Sequence, residues 1–312
     1  MEGSTQFLSK RPPRLNLTSS GRDSAMFPWG RRTEQRASAV DPVANVSAAA
    51  AFPERVRPTV AEDPLKLLTF NIQVGIRTRA YREYLTKGWK HVLPHESRVK
   101  NLHRIARVIS EYDVVALQEV DGGSLRSGFV NQVEYLAQLA DFPFWYAQLN
   151  RDLGPLAQHG NGLLSRVQPY GLEDHKLPGA IPGRGAVVAR LPYAGDELVV
   201  VMLHLSLGER SRRRQLAYIA EQIAHERQVV VMGDMNTPVR QLLERSAFKD
   251  LDLRPADNLE PTYPAWDPAL ALDHVLVSSH LEITDYQVLG CRISDHLPIA
   301  VEVAAAERPL VQ

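Results

Sequence analysis

The chain contains several short apolar runs that stop at an acid, an amide or a histidine. Four of them end in TFN (69–71), LQE (117–119), LHL (203–205) and GDMN (233–236); LDHVLV (272–277) begins with similar residues, and SDHLP (294–298) leads into another apolar run. A polar side chain at the end of a buried strand loses its water and needs hydrogen-bonding partners. Convergence of these ends would supply the partners, so the pattern predicts a single polar centre beside an apolar core.

Strand-like and helix-like runs alternate along the chain from residue 65 onwards. Apolar residues recur at helical spacing in 96–112, 130–140 and 209–225, and a short helix is expected after Pro238. Strands are predicted at 65–72, 113–117, 144–149, 162–165, 185–191, 197–203, 229–232, 272–278, 283–289 and 297–303. Strands that alternate with long helices indicate sheets covered by helices, so we expect a layered α/β architecture rather than an all-β sandwich.

Residues 1–63 differ in composition from the rest of the chain. They are rich in Ser, Pro, Arg and Ala and lack a sustained apolar period, which predicts a disordered tail before one folded domain at 64–312. A secretory signal is not supported, because the apolar stretch at 44–52 is interrupted and late; a transit peptide fits the Arg and Ser bias, but the acids count against it. We expect a cytoplasmic protein, with targeting by the tail and a start at Met26 left open.

Charge and cysteine content narrow the range of partners. The chain has 36 basic residues (Lys and Arg) and 36 acidic residues (Asp and Glu), so its net charge does not indicate a polyanionic partner. Local basic patches are still compatible with this balance. The single cysteine, Cys291, excludes an intrachain disulfide. No run approaches the roughly 18 apolar residues of a membrane span. We expect a monomer without a transmembrane segment.

Eight polar residues at the ends of the apolar runs form the candidate site. They are Asn71, Glu119, His204, Asp234, Asn236, Asp273, Asp295 and His296. Carboxylates such as Glu119 and Asp295 offer the hard oxygen ligands that suit magnesium, whereas the cysteine and histidine spacing of a structural zinc site is absent from the sequence. A divalent metal with two histidines and two amides is suited to hydrolysis of a phosphate ester, because metal and imidazolium stabilise the charge on the phosphoryl oxygens.

The order of the motifs resembles that of the endonuclease/exonuclease/phosphatase family, which includes deoxyribonuclease I, neutral sphingomyelinases and inositol polyphosphate 5-phosphatases. The matching stretches lie between about residues 65 and 303: Asn71 after a strand, LQEV (117–120), HGNGLLSR (159–166), HLSLGERSRRRQ (204–215), GDMN, LDHVLVS (272–278) and SDHLP. This resemblance implies that 64–312 is a catalytic domain with a four-layered α/β sandwich fold. Two mainly antiparallel sheets would pack face to face with helices outside, and a site at one edge would hold magnesium or manganese.

The resemblance also implies roles for the residues around the metal and the water. Glu119 would be the principal metal ligand, with Asn71 beside it. Asp234 would orient or deprotonate the attacking water, and Asn236 would hold the phosphate or that water.

A second group is implied to act on the phosphate and the leaving group. His296 would contact the scissile phosphate, oriented by Asp295, which is also a candidate metal ligand. His204 would be the acid for the leaving group, with Asp273 fixing its tautomer. Asn161 would support the substrate through hydrogen bonds.

The substrate class stays open between nucleic acid, phospholipid and small phosphoesters. A nuclease-type phosphodiesterase is the leading prediction, with Arg210, Arg214 and Arg184 as a local phosphate-binding patch. A loop at 81–92 with Tyr84, Leu85 and Trp89 would instead suit a lipid surface or stack on bases. A non-catalytic scaffold on the same fold is disfavoured, because every expected ligand is present.

We predict that removal of residues 1–60 leaves the melting temperature nearly unchanged, because a disordered tail has no buried contacts to lose on unfolding. Calorimetry of the full and the truncated chain measures this. A fall of more than about 4 °C, which corresponds to roughly 1 kcal/mol or more in a domain of this size, would show that the tail belongs to the fold.

Overall fold

The computed structural model describes residues 64–75, 96–152, 156–179 and 183–306. The predicted tail at 1–63 and the loop at 81–92 lie outside the described residues. Within them, every helix and strand predicted from the sequence is present. The strands are β1 (Leu65–Asn71), β2 (Val114–Asp121), β3 (Phe144–Asp152), β4 (Gln158–Ser165), β5 (Gly171–Lys176), β6 (Gly185–Tyr193), β7 (Asp196–His204), β8 (Val229–Asp234), β9 (Leu253–Pro255), β10 (Asp273–Ser278), β11 (Leu281–Val288) and β12 (Ile299–Ala305).

Four α-helices lie within the described residues. They are α1 (Glu96–Ile109), α2 (Gln132–Leu139), α3 (Glu209–Ile223) and α4 (Val239–Arg245). Helix α1 connects β1 to β2 and α3 connects β7 to β8, and each of these strand pairs is parallel, as a helical crossover requires. No helix in the described ranges is long and apolar enough to cross a membrane.

The strands form two six-stranded sheets. The first has the order β11, β12, β1, β2, β4, β3, and the second has the order β5, β6, β7, β8, β10, β9. All neighbouring pairs other than β1 with β2 and β7 with β8 are antiparallel. The prediction of two mainly antiparallel sheets is therefore confirmed.

Three apolar clusters separate four layers. One cluster lies between the sheets and joins residues such as Leu67 of β1 to Met232 of β8. The outer face of the first sheet packs on α1 and α2, and the outer face of the second packs on α3 and α4. Because successive side chains in a strand point to opposite faces, alternate residues of one strand serve two different clusters. The four-layered sandwich is confirmed.

Strands β5 and β9 were not predicted from the sequence. Both lie at an edge of the second sheet, and their sequences, GLEDHK and LRP, contain almost no buried apolar residue. An edge strand that is partly solvated on both faces has no apolar alternation to reveal it. Hydrogen bonding to β6 and β10 therefore decides their conformation.

Gly233 is required by the close approach of β7 and β8. Its φ is +147°, and a Cβ atom placed on it would lie 1.9 Å from the backbone oxygen of Leu203. Neither the dihedral angle nor the space admits a side chain. In the GDMN motif, Gly233 therefore allows the close packing of two strands, and Asp234 is the candidate site residue.

We predict that Gly233→Ala lowers the free energy of unfolding by at least about 2 kcal/mol, because it adds a backbone clash to an unfavourable φ. The matched control is Gly290→Ala, which has open space and an ordinary φ; it should change stability by less than about 0.5 kcal/mol. Urea unfolding followed by circular dichroism gives both values, and equal stabilities for the two variants would contradict the packing described.

Candidate active site

Three strands of the second sheet place polar side chains in one row. His204 ends β7, Asp234 ends β8 and Asp273 begins β10, and Asp234 pairs in register with both others. All three are buried and continue the inward-facing alternation of their strands, so they point between the sheets. His274 faces the opposite side, as alternation predicts, and its Nε2 lies 2.8 Å from the carbonyl oxygen of Thr237.

Asn71, at the end of β1, reaches this row from the first sheet. Its Nδ2 donates to Asp234 Oδ2 at 3.1 Å, and its Oδ1 accepts from the backbone N of Gln73 at 3.2 Å. Asn236 holds the same carboxylate from the other side, with its backbone N 3.0 Å from Asp234 Oδ1 and its Nδ2 2.9 Å from the carbonyl oxygen of Leu205. Both oxygens of Asp234 therefore have fixed partners.

A β-bulge turns Glu119 into the site. In the pairing of β2 with β4, Gln118 faces Asn161 and Val120 faces Gly160, so Glu119 has no opposite residue. Its φ is +56°, a conformation that non-glycine residues seldom adopt. Val120 packs in the helix-side cluster, while Glu119 lines the same cavity as Asn161. The bulge thus redirects one carboxylate from an otherwise regular strand.

His296 lies in the loop that precedes β12 and is bonded to the row by Asp273. Its Nδ1 is 2.8 Å from Asp273 Oδ2, and Thr262 Oγ1 donates to the same oxygen at 2.5 Å. Two backbone bonds fix the loop: Leu297 N donates to the Thr262 carbonyl and Ala265 N donates to the Asp295 carbonyl. The Nε2 of His296 remains directed towards Asp234, whose Oδ2 is 3.9 Å away.

These contacts correct two pairings expected from the sequence. Asp273 was expected to fix the tautomer of His204, but it holds His296. Asp295 was expected to orient His296, but its Oδ1 accepts from Ser294 Oγ at 3.1 Å. The physical reason is that the loop backbone bonds to the segment at 262–265, which brings His296 over the start of β10.

The charges around Asp234 favour a cationic His296. Burial by itself would lower the pKa of His296, but the carboxylates of Asp273 and Asp234 outweigh it and hold the pKa well above its ordinary value. Burial raises the pKa of Asp234 to about 7, against the opposing effect of His296. A charged imidazole therefore lies beside a carboxyl group that exchanges its proton near neutral pH.

His204 has the opposite electrostatic environment. Burial lowers its pKa well below the ordinary value, and the positive charges of Arg184 and His296 lower it further. Nη1 of Arg184 lies 2.7 Å from Nδ1 and 2.6 Å from Nε2 of His204. A guanidinium can only donate and a neutral imidazole has one acceptor nitrogen, so only one of these contacts is a hydrogen bond, and that bond requires the neutral ring. The charges around His204 therefore do not support the predicted role of acid for the leaving group.

Two groups of side chains could bind a divalent cation. The candidate ligand atoms of Asp234, Asp273 and His296 lie within 4.8 Å of one another and could hold a metal. However, a charged imidazole whose Nδ1 is already hydrogen-bonded has no lone pair for a metal. The first-sheet residues Asn71 and Glu119, together with Asp295, offer oxygen ligands without that obstacle.

The state of Asp295 supports a cation in the second of these groups. Burial raises its pKa to about 6; the charge of His296 opposes this shift, and that of Glu119 adds to it. A divalent cation near both acids would offset burial and repulsion together, and oxygen donors are those that magnesium and manganese prefer. The residues present therefore fit a metal of this kind.

A cavity of about 390 Å³ lies at the His204 end of the row. Glu119, Asn161, Arg184 and His204 line it, together with Ser206 and Ser211 near the start of α3. Of the predicted substrate-binding residues, Asn161 thus faces the cavity.

The structure locates the other two predicted substrate-binding residues elsewhere. Arg210 and Arg214 are exposed on α3 and line a neighbouring shallow depression with Arg213. Arg212, in the same basic run, donates to the carbonyl oxygens of Ser206 and Leu207 and so secures the turn before the helix.

Sequence reasoning missed Thr262 altogether and named Arg184 only as part of a possible basic patch. Thr262 touches Asp273 across a loop with no periodic pattern, so no local signal marks it. Arg184 precedes β6 and contacts His204 at the end of the next strand. One signal could have identified it: Arg184 comes just before β6, and β6 pairs antiparallel with β7, the strand that ends in His204.

The chain is similar to known proteins in sequence and in fold. The chain is 29% identical over 259 positions to the uncharacterized Escherichia coli protein YbhP, covering 76% of this chain and 95% of that protein. An endonuclease/exonuclease/phosphatase structure from Beutenbergia cavernae has a TM-score of 0.62 at 21% identity, covering 79% of this chain and 73% of that one. A Bacteroides thetaiotaomicron mannosyl-6-phosphatase, Bt3783, has a TM-score of 0.57 at 17% identity, covering 77% and 99%. Residues 68–296 match the model of the endonuclease/exonuclease/phosphatase family, and the chain belongs to that family.

Proposed function

We propose that this chain is a hydrolase that cleaves a phosphoester with an activated water and depends on magnesium or manganese. The observation that supports this most directly is the environment of Asp234. Its buried carboxyl group, with a pKa of about 7, lies between two asparagines and next to the charged imidazole of His296. A base tuned to neutral pH beside a fixed cation suits attack of water on a phosphoryl group.

Each site residue has a separate role in the proposed reaction. Asp234 accepts the proton of the attacking water, and Asn71 and Asn236 keep its carboxylate in one orientation. His296 donates from Nε2 to a phosphoryl oxygen, because Asp273 occupies its Nδ1. Glu119, Asn71 and Asp295 would hold the metal, which supplies a water of lowered pKa and neutralises charge on the phosphoryl oxygens.

Nuclease-type action on a phosphodiester is the first candidate for the substrate class. The exposed Arg210, Arg213 and Arg214, which line a separate depression on α3, favour it, because a nucleic acid backbone needs several positive charges along its path. A panel of DNA, RNA, nucleotides, inositol phosphates and phospholipids, each with magnesium and with manganese, tests this assignment.

Hydrolysis of a small phosphoester is the second candidate. The enclosed part of the site supports it: the cavity of about 390 Å³ falls in the range of small-molecule pockets. The structural likeness to a mannosyl-6-phosphatase at 17% identity is in keeping with this candidate. A lipid phosphoester would need the loop at 81–92, which lies outside the described residues.

We predict that His296→Ala lowers kcat by roughly 10³-fold, because the charge next to the phosphoryl oxygens is lost. Asp273→Asn should lower kcat less, since it keeps the shape but weakens the charge on the ring. Steady-state rates on the best substrate of the panel measure both. The control is His103→Ala, an exposed histidine of α1; a wild-type kcat for His296→Ala would refute the assigned role.

A second prediction concerns the metal. EDTA should abolish turnover, and Glu119→Gln should raise the metal concentration for half-maximal rate at least about tenfold, because a charged oxygen ligand is lost. Rates across a magnesium titration give this value. Glu244→Gln, at an exposed acid of α4, should leave the titration curve unchanged. Overlapping curves for Glu119→Gln and wild type, with both circular dichroism spectra intact, would exclude Glu119 as a ligand.

A further inference from the structure

Two residues that line the cavity, Asn161 and Asn150, each have a buried side-chain oxygen, Oδ1, with no hydrogen-bond partner among the described residues. Buried acceptors are nearly always satisfied in proteins, because an unpaired one keeps the cost of losing its water. Two of them in one cavity point to a ligand that brings hydrogen-bond donors.

The orientation of the Asn161 amide is fixed by a chain of hydrogen bonds. Gln148 Nε2 donates to Asp174 Oδ1 at 2.6 Å and to the Ala186 carbonyl oxygen at 2.9 Å, which leaves Gln148 Oε1 as the acceptor. Asn161 Nδ2 donates to this Oε1 at 2.9 Å and to the Gly185 carbonyl oxygen at 3.2 Å. Since carbonyl and carboxylate oxygens only accept, the amide cannot be reversed, and the unpaired group of Asn161 is an acceptor.

Asn150 reaches the cavity through a second β-bulge. In the pairing of β3 with β4, Leu149 faces Gly160 and Arg151 faces His159, so Asn150 has no opposite residue. The bulge that redirects Glu119 borders the same Gly160 on its other strand. The candidate metal ligand and the unpaired acceptor thus flank one residue of β4.

We propose that this cavity binds the alcohol part of the substrate, and that the substrate is a phosphoester of a small polyhydroxylated molecule, such as a sugar or a polyol. Its hydroxyl groups donate to Oδ1 of Asn161 and form hydrogen bonds with the side-chain amide of Asn150. Ser206 and Ser211 add hydroxyls to the wall, and Arg184 supplies a positive charge for the phosphate. This inference rests on the proposed phosphoester hydrolysis and specifies the class of substrate, which is the second of the two candidates above.

The test compares kcat/KM for sugar and inositol phosphates with kcat/KM for hexyl phosphate, which has the phosphate but no hydroxyl groups. Wild type should favour the polyol esters by at least tenfold. Asn150→Leu should reduce this ratio about tenfold, as loss of a hydrogen bond from a bound hydroxyl implies. We expect this variant to fold, because Asn150 makes no side-chain hydrogen bond within the described residues. Asn161→Leu should act in the same direction, but it also breaks the bond to Gln148.

Controls separate the failure of this inference from the failure of the proposed function. Asn258→Leu, at an exposed residue outside the cavity, should keep the wild-type ratio. Absence of turnover of every phosphoester, including p-nitrophenyl phosphate and bis-p-nitrophenyl phosphate, would refute the hydrolase itself. Turnover without preference for hydroxyl-bearing esters, or a preference for DNA or RNA, would refute the polyol site alone. Free inositol phosphate and phosphoinositide vesicles form separate arms, and a preference for either over hexyl phosphate supports recognition of the polyol.

Discussion

The buried carboxylate of Asp234 is the group on which the arrangement of the site depends. It lies 2% exposed between two apolar sheets, where an unpaired charge would cost several kcal/mol. Its partners come from four places in the chain: Asn71 ends β1, His204 ends β7, Asn236 follows β8, and His296 lies before β12. A shift of either sheet by one residue would remove one of these partners from Asp234. The buried charge is therefore stabilised only when the two sheets keep their relative position.

Two β-bulges in the first sheet direct side chains into the cavity beside the buried row. Regular alternation would place Glu119 among the apolar residues that pack on the helices, with Val115 and Leu117. The bulge at Glu119 and the bulge at Asn150 instead direct both side chains into the cavity, on either side of Gly160. The two bulges of the first sheet thus supply side chains that line the cavity. The regular strands of the second sheet supply the buried row of His204, Asp234 and Asp273.

The sequence predicts most of the fold because its signals are local. Apolar alternation and helical spacing are properties of ten or fifteen consecutive residues, and the polar ends of the runs reveal that a site exists. Partner choice within the site is not local: Asp273 bonds to His296 across 23 residues, because loop backbone bonds to Thr262 and Ala265 decide where the ring lies. Arg212 illustrates the same limit, since its role depends on which carbonyl oxygens the turn presents.

The balance of charge around the cavity has a consequence for substrate binding. Four carboxyl groups, those of Glu119, Asp234, Asp273 and Asp295, lie in or next to the cavity with three cations, Arg151, Arg184 and His296, while His204 favours its neutral form. In a site of low polarity such an excess repels an anion strongly. A phosphoester is itself an anion, so the residues alone disfavour it. A divalent cation reverses the sign of this charge, so we expect binding of the cation and of the phosphoester to be coupled, each favouring the other.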